Sequence, residues 1–164
     1  MIIHLKNKNT LIVDDFKFKC CVGKNGLKKR KIEGDKATPE GIFIINKLYY
    51  RADRVEKPIT SLKTKIIKKN MGWCNDPKNK LYNKEIKINK LIKHEKLFRK
   101  DNKYDYFMVI NYNQTKPVPF KGSAIFLHLT NIKYKATKGC IAIHKKDFMK
   151  ILPLINGRTK ILIK

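Results

Sequence analysis

The chain has 164 residues, of which 42% are hydrophobic, and this is enough material for one domain with a sizeable core. We expect residues 1–164 to form a single domain, because no repeat, low-complexity tract or linker-like stretch divides them. The formal net charge of +26 comes with 34 lysines and only 5 arginines, spread along the whole chain. Lysine, isoleucine and asparagine are all encoded by AT-rich codons, so codon composition alone accounts for the many lysines. Arginine, which binds phosphate better than lysine does, is scarce. The charge therefore predicts non-specific attraction to anionic polymers and no specific nucleic-acid partner.

Short runs rich in β-branched and aromatic residues predict eight β-strands. In chain order they are Ile2–Leu5, Leu11–Val13, Phe16–Cys21, Ile42–Tyr50, Tyr106–Tyr112, Ile125–Leu129, Cys140–Ile143 and Ile161–Ile163. Apolar residues at helical spacing predict a helix over Lys145–Ile155, which Pro153 should end or kink. A weaker helical pattern covers Asn89–Phe98. The sequence thus predicts a mainly β sandwich or barrel with one or two short helices.

The segment around Cys140 carries the chemistry that the chain offers most clearly. His128 ends one apolar run, and Cys140 opens the next run directly after Gly139. A thiol nucleophile needs a base that takes its proton, a rigid mount, and N–H groups that hold the oxyanion formed after attack. We therefore predict Cys140 as nucleophile, His128 as proton acceptor and the backbone N–H groups of Gly139 and Cys140 as oxyanion donors. The pattern alone fits a core histidine and a buried cysteine equally well.

Strand alternation places the two candidate groups on one face. Successive side chains in a strand point to opposite sides. Phe126 and His128 therefore share a face, and Leu127 points the other way. In the following run, Cys140 shares its face with the small Ala142, while Ile141 points into the core.

This segment resembles the catalytic segment of the L,D-transpeptidases, the YkuD-like (ErfK/YbiS) family. The family pattern is a histidine, a short gap and then Ser/Thr-His-Gly-Cys. The matching positions are His128, Thr137, Gly139 and Cys140. The gap is shorter than usual, Lys138 stands where a second histidine is most common, and Ala142 replaces a frequent arginine.

A second block, residues 33–43, is similar to the Gly-x-x-x-Thr-Pro-x-Gly-x-Phe element of the same family. Pro39 and Gly41 suit a turn that leads into a strand, so we interpret this block as structural. The stretch between the blocks resembles a compact branch of the family less specifically, at residues 72–77, 82–83, 94–95, 99 and 104–105. The resemblance therefore extends from Gly34 to about Phe148.

The resemblance implies a cysteine-dependent L,D-transpeptidase that acts on peptidoglycan stem peptides. A thioester would form on Cys140 with release of a terminal D-amino acid, and an amine of a second stem would resolve it. Resolution by water would instead make the protein an L,D-carboxypeptidase. An inactive wall-binding domain is the further alternative, because Lys138 and Ala142 depart from the family pattern.

Three further residues are candidates for substrate binding: Thr137, Ser123 and Arg99. A guanidinium is suited to pairing with a substrate carboxylate, although an exposed ion pair is an equally simple role for Arg99. Thr137 is expected to orient the turn, and Ser123 could equally be an ordinary loop serine. His144, at the start of the predicted helix, is expected to be a surface or capping residue.

The remaining cysteines predict neither a metal site nor a disulfide framework. Cys20, Cys21 and Cys74 form no Cys-x-x-Cys spacing, and no closed zinc pattern occurs. We expect no metal and no cofactor.

The location of the protein is not decided by its sequence. The first residues lack the basic and apolar regions of a signal peptide, and no run has the length of a membrane span. These features alone indicate the cytoplasm, whereas the resemblance implies the cell envelope. The sequence gives no indication of oligomeric state.

Overall fold

The computed structural model describes every residue, Met1–Lys164. The fourteen strands are β1 (Ile2–Lys6), β2 (Thr10–Val13), β3 (Phe16–Cys21), β4 (Leu27–Lys28), β5 (Thr38–Pro39), β6 (Gly41–Tyr50), β7 (Lys63–Ile66), β8 (Met71–Cys74), β9 (Glu85–Lys87), β10 (His94–Lys96), β11 (Tyr106–Ile110), β12 (Phe126–Thr130), β13 (Ile141–His144) and β14 (Lys160–Ile163). One α-helix, α1 (Lys145–Ile151), runs directly into a 3₁₀ turn at Leu152–Leu154. No helix has the length and apolar character needed to cross a membrane.

Eight strands close into a mixed barrel. Their order is β11, β12, β13, β3, β2, β1, β14 and β6, and β6 pairs back with β11. The β1–β14 and β12–β13 pairs are parallel, whereas the other neighbours in the barrel are antiparallel. The second half of β6 also carries β7 as a parallel edge strand.

The molecule has two apolar clusters, one inside the barrel and one outside it. Alternate residues of all eight barrel strands fill the interior together with Phe148 and Ile151 of α1. The second cluster lies where a three-stranded sheet, β10–β8–β9, covers the outer face of β6, β11 and β12. We call this small sheet the roof. His128 on β12 and Cys140, which directly precedes β13, lie on this outer face of the barrel.

The expected fold class is confirmed, and so is the assignment of faces around the candidate site. Leu127 and Ile141 pack inside the barrel, whereas Phe126 and Cys140 belong to the outer cluster. All eight predicted strands occur, with bounds that agree within two residues, and they are the eight strands of the barrel.

One predicted helix is wrong, and the other is shorter than expected. The segment Asn89–Phe98 contains strand β10, because its backbone pairs with β8, placing Glu95 opposite Trp73. The helix α1 ends at Ile151, and Pro153 lies within the 3₁₀ turn that follows. Proline has no N–H to donate, so the α-helical hydrogen bonds cannot continue through it.

Candidate active site

The parallel pair β12–β13 brings His128 and Cys140 together. His128 lies opposite Ala142, and Cys140 precedes Ala142 by two residues on the same face. Neighbouring strands are about 4.8 Å apart and two residues advance about 6.6 Å, so the two Cα atoms are separated by about 8 Å. Both side chains point out of the barrel, and both residues are nearly buried, with 6% and 8% of their surface exposed.

The Cys140 thiol is held by the chain just ahead of β12. Its Sγ donates to the carbonyl oxygen of Ala124 at 3.2 Å and accepts from the N–H of Phe126 at 3.4 Å. Ala124 has φ 53°, a left-handed conformation that is strained for a residue with a Cβ. Burial raises the pKa of Cys140 to about 12, and the negative charge of Glu95 adds to this effect. The resting thiol is therefore protonated at neutral pH.

The His128 ring is fixed in one tautomer. Its Nδ1 lies 2.8 Å from the carbonyl oxygen of Leu129. A carbonyl oxygen can only accept, so Nδ1 carries the proton, and Nε2 keeps its lone pair while the ring is neutral. Burial lowers the pKa of His128 to about 4, which keeps the imidazole neutral. The ring makes a T-shaped contact with Tyr104, with the centroids 5.4 Å apart.

The turn before Cys140 is closed by the side chain of Thr137. Its Oγ1 donates to the Cys140 carbonyl at 2.6 Å and accepts from the Gly139 N–H at 3.0 Å. One of the two predicted oxyanion donors, the N–H of Gly139, is thus already bonded within the turn. The N–H of Cys140 itself makes no hydrogen bond to the protein. This geometry favours Cys140 over Gly139 as the donor and gives Thr137 a positioning role.

Gly139 is required by the path of this turn. Its φ is 137°, and a Cβ at this position would lie 2.9 Å from the carbonyl oxygen of Ala37. From the other side, Thr38 Oγ1 donates to the Gly139 carbonyl at 2.8 Å and accepts from the Gly23 N–H at 2.9 Å. The block around Thr38 therefore supports the turn that carries Cys140, which agrees with the structural interpretation of that block.

Asn83 connects the roof to the strained Ala124; the sequence placed it in the stretch that resembles the family but indicated no role for it. Its Oδ1 accepts from the Trp73 indole N–H at 2.9 Å and from the Ala124 N–H at 3.0 Å. Its Nδ2 donates to the carbonyls of Tyr112 and Asn113. No local sequence signal could have indicated this role, because the partners lie far from Asn83 along the chain or on another element.

Tyr104 and Glu95 form a polar pair at the edge of the roof. The Tyr104 hydroxyl donates to a Glu95 carboxylate oxygen. Desolvation raises the pKa of both groups. The negative charge of the Glu95 carboxylate raises the pKa of the candidate nucleophile, Cys140.

Two predicted substrate-binding residues have different surroundings. Arg99 donates to both carboxylate oxygens of Asp101, at 2.8 and 2.6 Å, so its guanidinium already has a carboxylate partner. Ser123 is 8% exposed, and its hydroxyl has no hydrogen-bond partner. A buried hydroxyl without a partner is costly, but this oxygen has no surface open to solvent, so Ser123 reaches a bound peptide only if the surrounding loop moves.

Of the other singled-out positions, Cys21 lies on β3 opposite Ala142, on the strand next to the site. His144 caps α1, accepting from the Lys146 N–H, as expected. Cys20, Cys21 and Cys74 are buried free thiols.

The family of the chain follows from its sequence as a whole. The family model described as the YkuD L,D-transpeptidase catalytic domain matches residues 1–163. The chain belongs to this family.

A solved structure with the same fold supports the architecture described above. The crystal structure of the helical cell shape determining protein Pgp2 from Campylobacter jejuni is similar, with a TM-score of 0.52 and 14% sequence identity. The similarity covers 99% of this chain but 46% of the Pgp2 chain, so our chain spans about half the length of that protein. Among curated proteins, none has a sequence that matches the chain significantly.

Proposed function

We propose that this protein is a cysteine-dependent L,D-transpeptidase that acts on peptidoglycan stem peptides, with Cys140 as nucleophile and His128 as base. Membership of the YkuD family supports L,D-transpeptidase-type activity. The observation that carries the residue assignment is the hydrogen bond from His128 Nδ1 to Leu129, which leaves Nε2 able to accept a proton on the face that carries Cys140.

In the acylation step, Nε2 of His128 accepts the thiol proton while Sγ of Cys140 attacks the carbonyl carbon of an L-centred amide. The N–H of Cys140 is the best-placed backbone donor for the oxyanion. The C–N bond then breaks, and the imidazolium returns its proton to the departing amine of the D-amino acid. The product is a thioester on Cys140.

The proton moves during the attack and not before it. At neutral pH the pKa of about 12 keeps the thiol protonated, and the pKa of about 4 keeps the imidazole neutral. The resting site therefore holds a neutral pair, and His128 acts as a general base as the S–C bond forms.

In the second step, an amine of another stem attacks the thioester, His128 accepts its proton, and the Cys140 thiolate leaves and is reprotonated. Water in place of the amine gives the L,D-carboxypeptidase reaction with the same residues. In either reaction Ser123 is proposed to contact the bound peptide, and Thr137 to hold the turn. Arg99 could pair with a substrate carboxylate only by exchanging Asp101.

The experiment is intact-mass measurement of the protein mixed with a disaccharide-tetrapeptide. Wild type should gain the mass of the donor minus one D-alanine, whereas Cys140→Ala should gain nothing. Cys20→Ala is the control, because Cys20 is a buried thiol that points into the barrel interior and away from the site. His128→Gln should fold and form little or no adduct.

The products distinguish the two enzyme reactions. Accumulation of cross-linked dimer identifies the transpeptidase, and accumulation of tripeptide identifies the carboxypeptidase. A folded wild-type protein that forms neither adduct nor product would contradict the proposal and favour the inactive wall-binding domain.

A further inference from the structure

A buried lysine lies beside the turn that carries Cys140. Lys31 is 6% exposed, and its Nζ is 2.6 Å from Asp35 Oδ1. The Asp35 carboxylate is fixed in turn by the N–H groups of Ile32 and Ala37, each at 2.9 Å. The ammonium group therefore has a fixed position.

Two glycines make room for the Lys31 side chain. A Cβ on Gly122 would lie 2.7 Å from Lys31 Cε, and a Cβ on Gly139 would lie 3.6 Å from Lys31 Nζ. The side chain thus extends past the loop before β12 and ends next to the residue that precedes Cys140. Its charge lies close to the place where a thiolate and an oxyanion would form.

Stability alone gives little reason for this buried ion pair. Removing two charges from water is costly, and buried ion pairs can often be replaced by apolar residues without loss of stability. The ammonium also has three donors, of which one goes to Asp35 and a second makes a long contact, 3.5 Å, with the Ile32 carbonyl. An electrostatic role at the neighbouring site is a better explanation.

Three charged side chains affect the pKa of Cys140. Glu95 opposes negative charge on the thiol, and Lys31 and Arg99 favour it. Both cations have a carboxylate partner, Asp35 for Lys31 and Asp101 for Arg99, so pairing alone does not separate them. Lys31 has the larger effect of the two on the pKa of Cys140, and its Nζ would lie 3.6 Å from a Cβ on Gly139, the residue that precedes Cys140.

We propose that the Lys31 ammonium stabilises the negative charge that develops on Cys140 and on the attacked carbonyl oxygen, and that Asp35 holds the ammonium in place and attenuates its field. Lys31 acts through space on the reacting atoms and is a positioning and electrostatic residue. This inference rests on the proposed role of Cys140 as nucleophile.

The test measures the reactivity of the Cys140 thiol without any peptidoglycan substrate. Iodoacetamide is neutral, and the thiolate displaces its iodide to form a thioether. The second-order rate constant at pH 8.5, read on the Cys140 peptide by mass spectrometry, reports the thiolate fraction. Cys20 is the internal control, because it is a buried thiol inside the barrel and becomes reactive only if the fold opens.

The two partners of the ion pair should shift the rate in opposite directions. Lys31→Met removes the favourable charge, and we expect the rate to fall about three- to tenfold, as for a pKa rise of about half to one unit. Asp35→Asn removes the opposing charge, and we expect the rate to rise. Lys31→Arg should stay near wild type. Lys65→Met is the matched control, since it breaks a Lys65–Glu85 pair of the same 2.6 Å length away from the turn.

A purely structural ion pair would give a different result, because both variants would break it and shift the rate in the same direction. That result, or an unchanged rate in Lys31→Met, overturns the inference. If Lys31→Met does not fold, Asp35→Asn decides alone: a faster Cys140 reaction with unreactive Cys20 supports the inference, and any other result overturns it. Failure of the adduct experiment would contradict the proposed function without changing these rates.

Discussion

The burial of His128 gives the protein a specific dependence of stability on pH. Burial lowers its pKa from 6.5 to about 4 in the folded state. Between these values the unfolded chain binds a proton that the folded protein does not bind. The free energy of unfolding therefore decreases as the pH falls from about 6.5 to 4 and recovers as the pH rises.

We expect wild type to lose about 2–3 kcal/mol more stability than His128→Gln between pH 7 and pH 4.5, because a shift of one pKa unit corresponds to about 1.4 kcal/mol. Urea unfolding at both pH values measures this difference. His144→Gln, which alters only the half-exposed cap of α1, is the control and should follow wild type. Equal losses in wild type and His128→Gln would contradict the prediction.

The residues of the candidate site differ in how well the sequence could predict them. His128 and Cys140 were predictable because strand alternation and a short motif place both on one face. The occupied N–H of Gly139 was not, because it depends on the rotamer of Thr137. Lys31 belongs to no motif, and only the tertiary fold brings it next to residue 139.

At the level of elements, the turn from Thr137 to Cys140 depends on a glycine. We expect Gly139→Ala to destabilise the protein by roughly 1–3 kcal/mol, the cost of holding a residue with a Cβ in an unfavourable conformation, and to impair acyl transfer. Gly157→Ala is the control, because nothing lies within 4 Å of the added methyl group.

Urea unfolding and the adduct assay measure both effects of Gly139→Ala. Equal stability of the Gly139→Ala and Gly157→Ala variants would show that the turn tolerates a Cβ, and the proposed strain would be wrong.

The barrel strands were predictable, and the strands outside the barrel were not. Each barrel strand buries alternate residues in the interior, so its sequence carries a period of two. The strands of the roof have three or four residues, and β8 is buried along its whole length. Such segments are too short to show a period. The helix predicted for residues 89–98 was wrong because this segment contains another short strand, β10, whose pairing with β8 outweighs a weak helical pattern.

At the level of the whole molecule, the net charge of +26 is distributed along the chain and does not form one basic segment. We expect binding to duplex DNA that does not depend on sequence and weakens steeply between 50 and 200 mM salt, since released counterions supply its free energy. Fluorescence anisotropy with two unrelated duplexes measures this, and Cys140→Ala should behave as wild type. A preference for one duplex at 150 mM salt would contradict the expectation.

The order of strands around the barrel also determines when the protein can fold. Strand β14, near the end of the chain, lies between β1 and β6 and pairs with both. During synthesis β1 and β6 therefore have exposed edges with unpaired N–H and C=O groups, and such edges promote aggregation. The barrel closes only after β14 has left the ribosome, because β14 joins β1 to β6. Pairing between strands so distant in sequence is also slow. The candidate site is therefore held by a barrel that is complete only when β14, a strand later in the chain than the site itself, is in place.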